Sequence, residues 1–358
     1  MDGAVQTPRR GDGAAGAVPG GRQRTPGARR ADGGDVGPLG SRDADGAPRF
    51  DRSLAPGAYR WWYIDALSDD GRDALTVIAF VGSVFSPYYR RAFARNPATR
   101  PEDHCAINVC LYSPGAKRWT MTERGARHVQ RERSAFVVGP SRMAWDGRVF
   151  EIALDERSVP WARAVRGTLR LQPHALCTFA ASLDAAGRHR WGPIAPCARI
   201  EVDLQAPALR WSGAAYFDSN EGDEPIERAF TRWDWLRTAS PDGRTTTVIY
   251  DVQATGAEQG AFIARRFDAD GSDHATDAAP ARRALAPAPL WRIARSVRAG
   301  EGAHVLRTLE DTPFYARSLI EMPSGGEREL AVHETLDTLR LRSRVVQAML
   351  PWRMPRRA

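Results

Sequence analysis

The chain has 358 residues, of which 42% are hydrophobic and 26% charged, enough apolar material for a large packed interior and too much for wholesale disorder. Its net charge of +8 comes from 51 Lys and Arg against 43 Asp and Glu, with Lys117 the single lysine. The arginines interleave with acids and form no continuous basic helix and no aromatic-and-basic ribonucleoprotein signature, so nucleic acid is not an expected partner. The eleven Trp are the unusual excess, and they suggest an interior built around flat apolar surface.

Residues 1–50 consist of Gly, Ala, Arg, Pro and Asp with almost no large apolar side chains. Such a stretch buries too little surface to offset the entropy of ordering it, so a disordered leader outside the fold is expected. Arg9-Arg10 and Arg29-Arg30 are not followed by the apolar run of a twin-arginine signal. From Tyr59 the texture changes. Tyr59 to Ile64 is aromatic and β-prone, Ser68-Asp69-Asp70-Gly71 supplies a turn, and Leu75 to Val81 is a buried-type strand, which together predict a hairpin.

The best short helical candidate is Phe85 to Arg95. Further strands are predicted at Ala106 to Tyr112, Phe136 to Val138, Val165 to Leu171, Cys177 to Leu183, Ile200 to Leu204, Thr245 to Gln253, Phe262 to Phe267 and Val305 to Leu309, separated by Gly, Pro and Asp. This is the signature of an all-β antiparallel sandwich or barrel. About 300 ordered residues exceed one small barrel, so two consecutive β-domains are expected, 51–205 and 206–358. The longest apolar run, roughly Ala74 to Phe85, is too short to span a bilayer. Cys105, Cys110, Cys177 and Cys197 lack metal-ligand spacing and read as small buried residues in a reducing compartment.

Two short motifs carry candidate chemistry. His189-Arg190-Trp191 follows the turn at Gly187, and Tyr216-Phe217-Asp218 precedes Ser219-Asn220. Residues two apart in a strand share a face, so His189 with Trp191, and Tyr216 with Asp218, each form part of a wall. If the two strands adjoin, the four groups suit acid-catalysed addition to an alkene. A carboxyl kept protonated by desolvation donates its proton. The faces of Trp191 and Tyr216 then stabilise a carbocation, and water oriented by His189 attacks it. Spacing alone leaves alternatives open: a core imidazole and indole after a turn, and an Asx-turn at Asp218.

Longer blocks decide between them. Tyr59 to Ala66, Gly82 to Tyr89, Asp103 to Asn108, Met121 to Gly125, Trp191 to Pro196, Tyr216 to Asn220, Glu310 to Ser318 and Met349 to Pro355 run in order from about residue 55 to 355. In these blocks the chain resembles the bacterial carotenoid 1,2-hydratases, also called hydroxyneurosporene synthases. The resemblance implies a lipocalin-like fold and hydration of the terminal carbon-1/carbon-2 double bond of acyclic carotenoids such as neurosporene or lycopene, with neither cofactor nor metal. It also implies that the family's essential His-x-Trp and Tyr-x-Asp pairs fall on His189 and Trp191, and on Tyr216 and Asp218. Asp218 is then the expected proton donor. Trp61, Trp62, Trp233 and Trp235 are expected to bind substrate as wall aromatics. Because such a substrate resides in a bilayer, a cytoplasmic protein in peripheral contact with the inner, photosynthetic membrane is expected.

Other groups are weaker candidates. Asp65 and Glu123 are acids among apolar neighbours, either facing a cavity or lying at strand ends; His104 reads as a strand-edge residue. His333-Glu334 lacks the second His of a zinc motif, since position 337 is Asp337. The tail Pro351 to Arg357 has the aromatic-plus-Arg character of an interfacial anchor or of an ordinary basic terminus. A non-catalytic lipocalin-type carrier of polyenes is the competing function; it keeps the apolar cavity and gives Asp218 no chemistry.

Overall fold

The computed structural model describes residues 1–3, 29–30, 36–256, 260–276, 280–324 and 327–357. Strands dominate them and form two large antiparallel sheets. The first contains β1 (Tyr59–Ser68), β2 (Ala74–Val81), β3 (Cys105–Leu111), β4 (Arg118–Met121), β5 (Phe150–Arg157), β6 (Ala164–Pro173), β7 (His189–Ala206) and β8 (Ala208–Gly222). Helix α1 (Pro87–Arg95), capped by the Ser86 hydroxyl, lies between β2 and β3. The central path of this sheet is β3-β2-β1-β8-β7-β6-β5, and short strands extend both edges.

The second sheet follows in sequence with β9 (Phe230–Ala239), β10 (Thr245–Ala254), β11 (Ala261–Asp268), β12 (His304–Asp311), β13 (Tyr315–Ser324) and β14 (Glu327–Asp337). Its order is β11-β10-β9-β14-β13-β12. Helix α2 (Arg344–Arg353) comes last, before Arg356 and Arg357 pair in parallel with Glu123 and Arg124 at the edge of the first sheet.

The period of two in β1 explains the layering. Tyr59, Trp61 and Tyr63 face the second sheet and share a core with Trp191, Tyr216, Trp233, Trp235 and Tyr250. Trp62 and Ile64 face the other way, into a second apolar core with Val77, Ile107, Phe136, Ile152 and Phe217. Strands β3 and β5, far apart along the sheet path, both contribute to that core, so the sheet curls around it. Burying an indole such as Trp62, roughly 200 Å², contributes on the order of 5 kcal/mol before entropy is counted.

The predicted hairpin is formed by β1 and β2, with Gly71 at a left-handed φ of 69° in its turn. Other expectations change. Most of the proposed leader, 4–28 and 31–35, lies outside the described residues. Its end, however, is packed: Leu39, Ser41, Arg42 and Phe50 are buried, and the Trp62 indole N–H donates to the Ser41 carbonyl at 3.0 Å. The fold therefore begins before residue 51, because the few apolar side chains of this segment cover the far face of β1 and β8. The expected domain junction near 205 falls at the tip of the β7–β8 hairpin, so 206–222 belongs to the first sheet. The sheets change between Gly222 and Phe230, and the tail returns to the first sheet. Of the strand predicted at Cys177 to Leu183, only Ala181–Ser182 pairs. All four cysteines are free and buried. No helix among the described residues is long and apolar enough to cross a membrane.

Candidate active site

The facing surfaces of the two sheets enclose a cavity of about 390 Å³. β7 and β8 lie side by side, with Trp191 opposite Asn220 and Pro193 opposite Asp218. On the other side β8 pairs with β1, which sets Trp61 opposite Asn220 and Tyr63 opposite Asp218. Directly opposite residues share a face, so Trp61, Tyr63, Trp191, Asp218 and Asn220 all line the cavity. The second sheet supplies Trp233 and Trp235 from β9, Tyr250 from β10, Tyr315 from β13, and Glu334 and Leu336 from β14.

Asp218 is buried, and only one of its oxygens is satisfied. Oδ2 accepts the indole N–H of Trp191 at 2.7 Å and the phenol O–H of Tyr216 at 2.8 Å, whereas Oδ1 has no hydrogen-bond partner. Trp191 reaches it diagonally across the β7–β8 pair, two residues out of register. Burial pushes the Asp218 carboxyl up to about 7, against the two donors, which favour the charged form; the nearby carboxylates of Glu334 and Asp65 push in the same direction as burial. Aromatic rings surround the acid. Trp191 meets Tyr250 edge to face at 5.8 Å, and Trp235 lies 5.6 Å from both Tyr216 and Tyr63.

Beneath this wall runs a chain of buried charges. Tyr63 donates its hydroxyl to Glu334 at 2.7 Å and accepts from Arg317 at 2.6 Å. Arg317 bridges Glu334 and Asp65, and Arg237 donates to Asp65 at 2.7 Å. Asp65, weighed above as a cavity or strand-end acid, is thus fully buried in an ion-pair network. Removing one partner of such a network strands a buried charge, so each of these groups is costly to replace singly. Glu123 and His104 form a second buried pair, Nδ1 to Oε1 at 2.8 Å, joined by Arg356; His104 sits immediately before β3 and is buried.

The four motif residues separate into three and one. Trp191, Tyr216 and Asp218 converge, but Tyr216 is fully buried behind the acid and does not line the cavity, so its contact is the hydrogen bond to Asp218 and the cation-facing role expected of its ring does not fit this position. His189 stands opposite Gly222, four residues from Asp218 along β8, about 13 Å at the rise of a strand. It is fully buried and does not line the cavity. Its Nδ1 contacts the Tyr59 hydroxyl at 2.9 Å, its backbone N–H donates to Asp184 at 2.8 Å, and its ring abuts Phe230 edge to face at 4.7 Å. Burial lowers its pKa to about 4, so it is neutral near pH 7. Gly222 makes the contact possible: a Cβ there would lie 2.4 Å from the Tyr59 ring and 2.6 Å from the His189 nitrogen. Tyr59 in turn stacks on Trp61 at 5.0 Å, and Trp61 lines the cavity. The water-orienting role expected of His189 does not fit this position, and its link to the cavity runs through two rings.

Of the wall aromatics, Trp61, Trp233 and Trp235 line the cavity. Trp62 does not. Its odd neighbours face the site, so strand alternation turns it into the opposite core against Phe50 and Phe136. Sequence reading missed Tyr63, Asn220, Tyr250, Tyr315 and Glu334 as lining residues. The alternation of Trp61 with Tyr63, and of Asp218 with Asn220, was the available signal for two of them.

The family described as "Carotenoid hydratase CrtC" matches residues 77–358. The chain is 57% identical over 350 residues to the acyclic carotenoid 1,2-hydratase of Rubrivivax gelatinosus, covering 96% of this chain and 85% of that one. It is 50% identical to the enzyme of the same name from Thiocapsa roseopersicina, covering 96% and 84%. A crystal structure of an AttH candidate from Nitrosomonas europaea shares the fold with a TM-score of 0.54 at 12% identity, over 79% of this chain and 92% of the other. With the family model spanning 282 residues and 57% and 50% identity to two acyclic carotenoid 1,2-hydratases over 96% of its length, the chain belongs to the carotenoid hydratase family.

Proposed function

We propose that the chain is an acyclic carotenoid 1,2-hydratase that adds water across the terminal double bond of a polyene such as neurosporene or lycopene, with Asp218 as the acid. One observation carries this reading: both donors of the site bind the same oxygen of a desolvated carboxyl whose pKa is raised to about 7. Since Oδ2 is occupied by two donors, the acidic hydrogen resides on the unpaired Oδ1. Transfer of that hydrogen to carbon-2 breaks the O–H bond and the π bond and leaves a tertiary cation at carbon-1. The carboxylate formed keeps the Trp191 and Tyr216 hydrogen bonds, which are stronger to a charged acceptor and so favour the transfer.

The ring faces of Trp191, Trp233, Trp235 and Tyr250 stabilise the cation, on the order of 0.5–2 kcal/mol each. Water attacks carbon-1, and its proton returns to Asp218, so the acid is regenerated and no electrons change hands. Asn220 and Tyr250, joined at 3.3 Å, are the polar wall groups next to Asp218 and take the water-holding role. His189 acts as a positioning residue through Tyr59 and Trp61. The two sheets around the cavity correspond in this reading to the two β-domains expected from the length of the chain, with the lipocalin-like character that the resemblance implies. The protein works in peripheral contact with the cytoplasmic face of the membrane that holds its substrate.

Incubation of purified protein with neurosporene in deuterated, oxygen-18 water tests the scheme. The 1-hydroxy product must carry one deuteron at carbon-2 and the heavy oxygen at carbon-1. Bound polyene without product, in the wild type and in Asp218→Asn alike, is the outcome that establishes a carrier instead.

A further inference from the structure

The geometry points to a bilayer-docking surface at the mouth of the cavity, built from the Leu290–Trp291 loop and helix α2 and selective for anionic headgroups. This inference deepens the proposed function, since it rests on an apolar substrate entering through that mouth. The cavity wall ends outward at Trp291, Met349, Trp352 and Arg353. Trp352 is 82% exposed, and just outside it Leu290 is 73%, Val345 71% and Leu339 45% exposed. Six of the nine large apolar side chains left exposed among the described residues thus cluster on the Leu290–Trp291 loop and on residues 338–353, which comprise helix α2 and the turn before it. The segments are one surface, because Arg340 donates to the Trp291 carbonyl at 2.7 Å. Asp311 fixes the loop by accepting the N–H groups of Leu290 and Trp291, at 2.6 and 3.1 Å.

Charge selects the occupant. Residues 338–357 contain Arg340, Arg342, Arg344, Arg353, Arg356 and Arg357 and no acid; Arg340, Arg353 and Arg356 pair with Asp337, Glu310 and Glu123, so Arg342, Arg344 and Arg357 are the cations of this stretch without an ion pair among the described residues. Helix α2 packs against α1, which adds Arg91 and Arg95 and contains no acid, while its Arg90 pairs with Glu227 at 2.8 Å. Arg91, Arg95, Arg100 and Arg356, the last paired with Glu123, line a cleft beside α1 whose one lining carboxylate among the described residues is Asp103. Exposed Trp, Leu and Val flanked by arginine is the composition of a helix lying in a headgroup layer, with apolar tips below and guanidinium groups among phosphates. The cavity volume, at the lower end of those enclosing a drug-sized molecule, admits one end of a long polyene. The remainder stays in hydrocarbon if the mouth is pressed against it.

Vesicle sedimentation of the full chain, without carotenoid, tests this. Vesicles of phosphatidylcholine alone are compared with vesicles that also contain phosphatidylglycerol. The wild type should bind the anionic vesicles at least tenfold more tightly. Leu339→Asp with Val345→Asp, two residues outside the cavity wall, should lose binding to both kinds of vesicle. Arg342→Glu with Arg344→Glu should lose only the anionic preference. Both double variants should hydrate detergent-dispersed neurosporene at the wild-type rate, and vesicle-embedded neurosporene at a rate reduced in step with binding. Wild-type protein that stays in the supernatant, variants that sediment as the wild type does, or concentration-dependent self-association through this face in place of vesicle binding would overturn the proposal. Because binding is read without substrate, failure of hydration in every format refutes the hydratase reading and leaves the docking result standing.

Discussion

Replacing Asp218 with Asn separates the stability of this site from its chemistry. Burial raises the Asp218 carboxyl from an ordinary 3.8 to about 7. The folded state therefore holds a proton that the unfolded chain releases, and stability falls as pH rises from about 4 through 7. Integrated over that interval, the loss is about 4 kcal/mol. An amide at the same position has no proton to lose, and its oxygen still accepts from Trp191 and Tyr216. Urea unfolding of both proteins from about pH 4 to about pH 8 should show Asp218→Asn gaining about 4 kcal/mol on the wild type across the range. His189, whose burial lowers its pKa to about 4, costs both proteins stability as pH falls below its ordinary 6.5, and that contribution cancels in the difference. The same variant should lose about 10²–10⁴-fold in kcat, the usual contribution of a general acid. A pH-independent difference in stability would show that Asp218 ionises in the fold as a solvated carboxylate does, and the acid mechanism would fall with it.

Trp191→Phe keeps a ring but removes one of the two donors that favour the ionised acid, so the falling limb of kcat/KM against pH should move upward by about one pH unit. A downward move contradicts the assignment. His189→Asn and Tyr59→Phe should lower kcat by similar factors, and the double variant should cost no more than either alone, because both act through one hydrogen bond; additive losses would place His189 on another path. Trp235→Leu retains much of the apolar volume and removes a ring beside Tyr63 and Tyr216, so kcat should fall by up to about 30-fold with KM within a few-fold. Unchanged kcat with a raised KM would make Trp235 a wall and nothing more.

Local pattern in the sequence sufficed for the β class, the first hairpin and the helix ending at Arg95, because turn chemistry and side-chain period act over a few residues. A period of two also sets Tyr216 and Asp218 on one face, but the choice of Asp218, Trp191 and Tyr216 over a core and an Asx-turn reading came from the longer blocks that resemble the hydratases, not from local pattern. Register between strands was not legible. That His189 lies opposite Gly222 while Trp191 reaches diagonally to Asp218 depends on how β7 aligns with β8, including its irregularities at Pro193, Ala195 and Ala198. Trp62 and Trp61 have the same side-chain identity, and only the pleat decides that one enters the cavity wall and the other the opposite core. Glu334 and Tyr250 join the site from strands more than thirty residues beyond Asp218, brought there by the packing of the second sheet on the first. The raised pKa of Asp218 follows from that closure, because desolvation is a property of everything packed around a carboxyl and of no short stretch of chain.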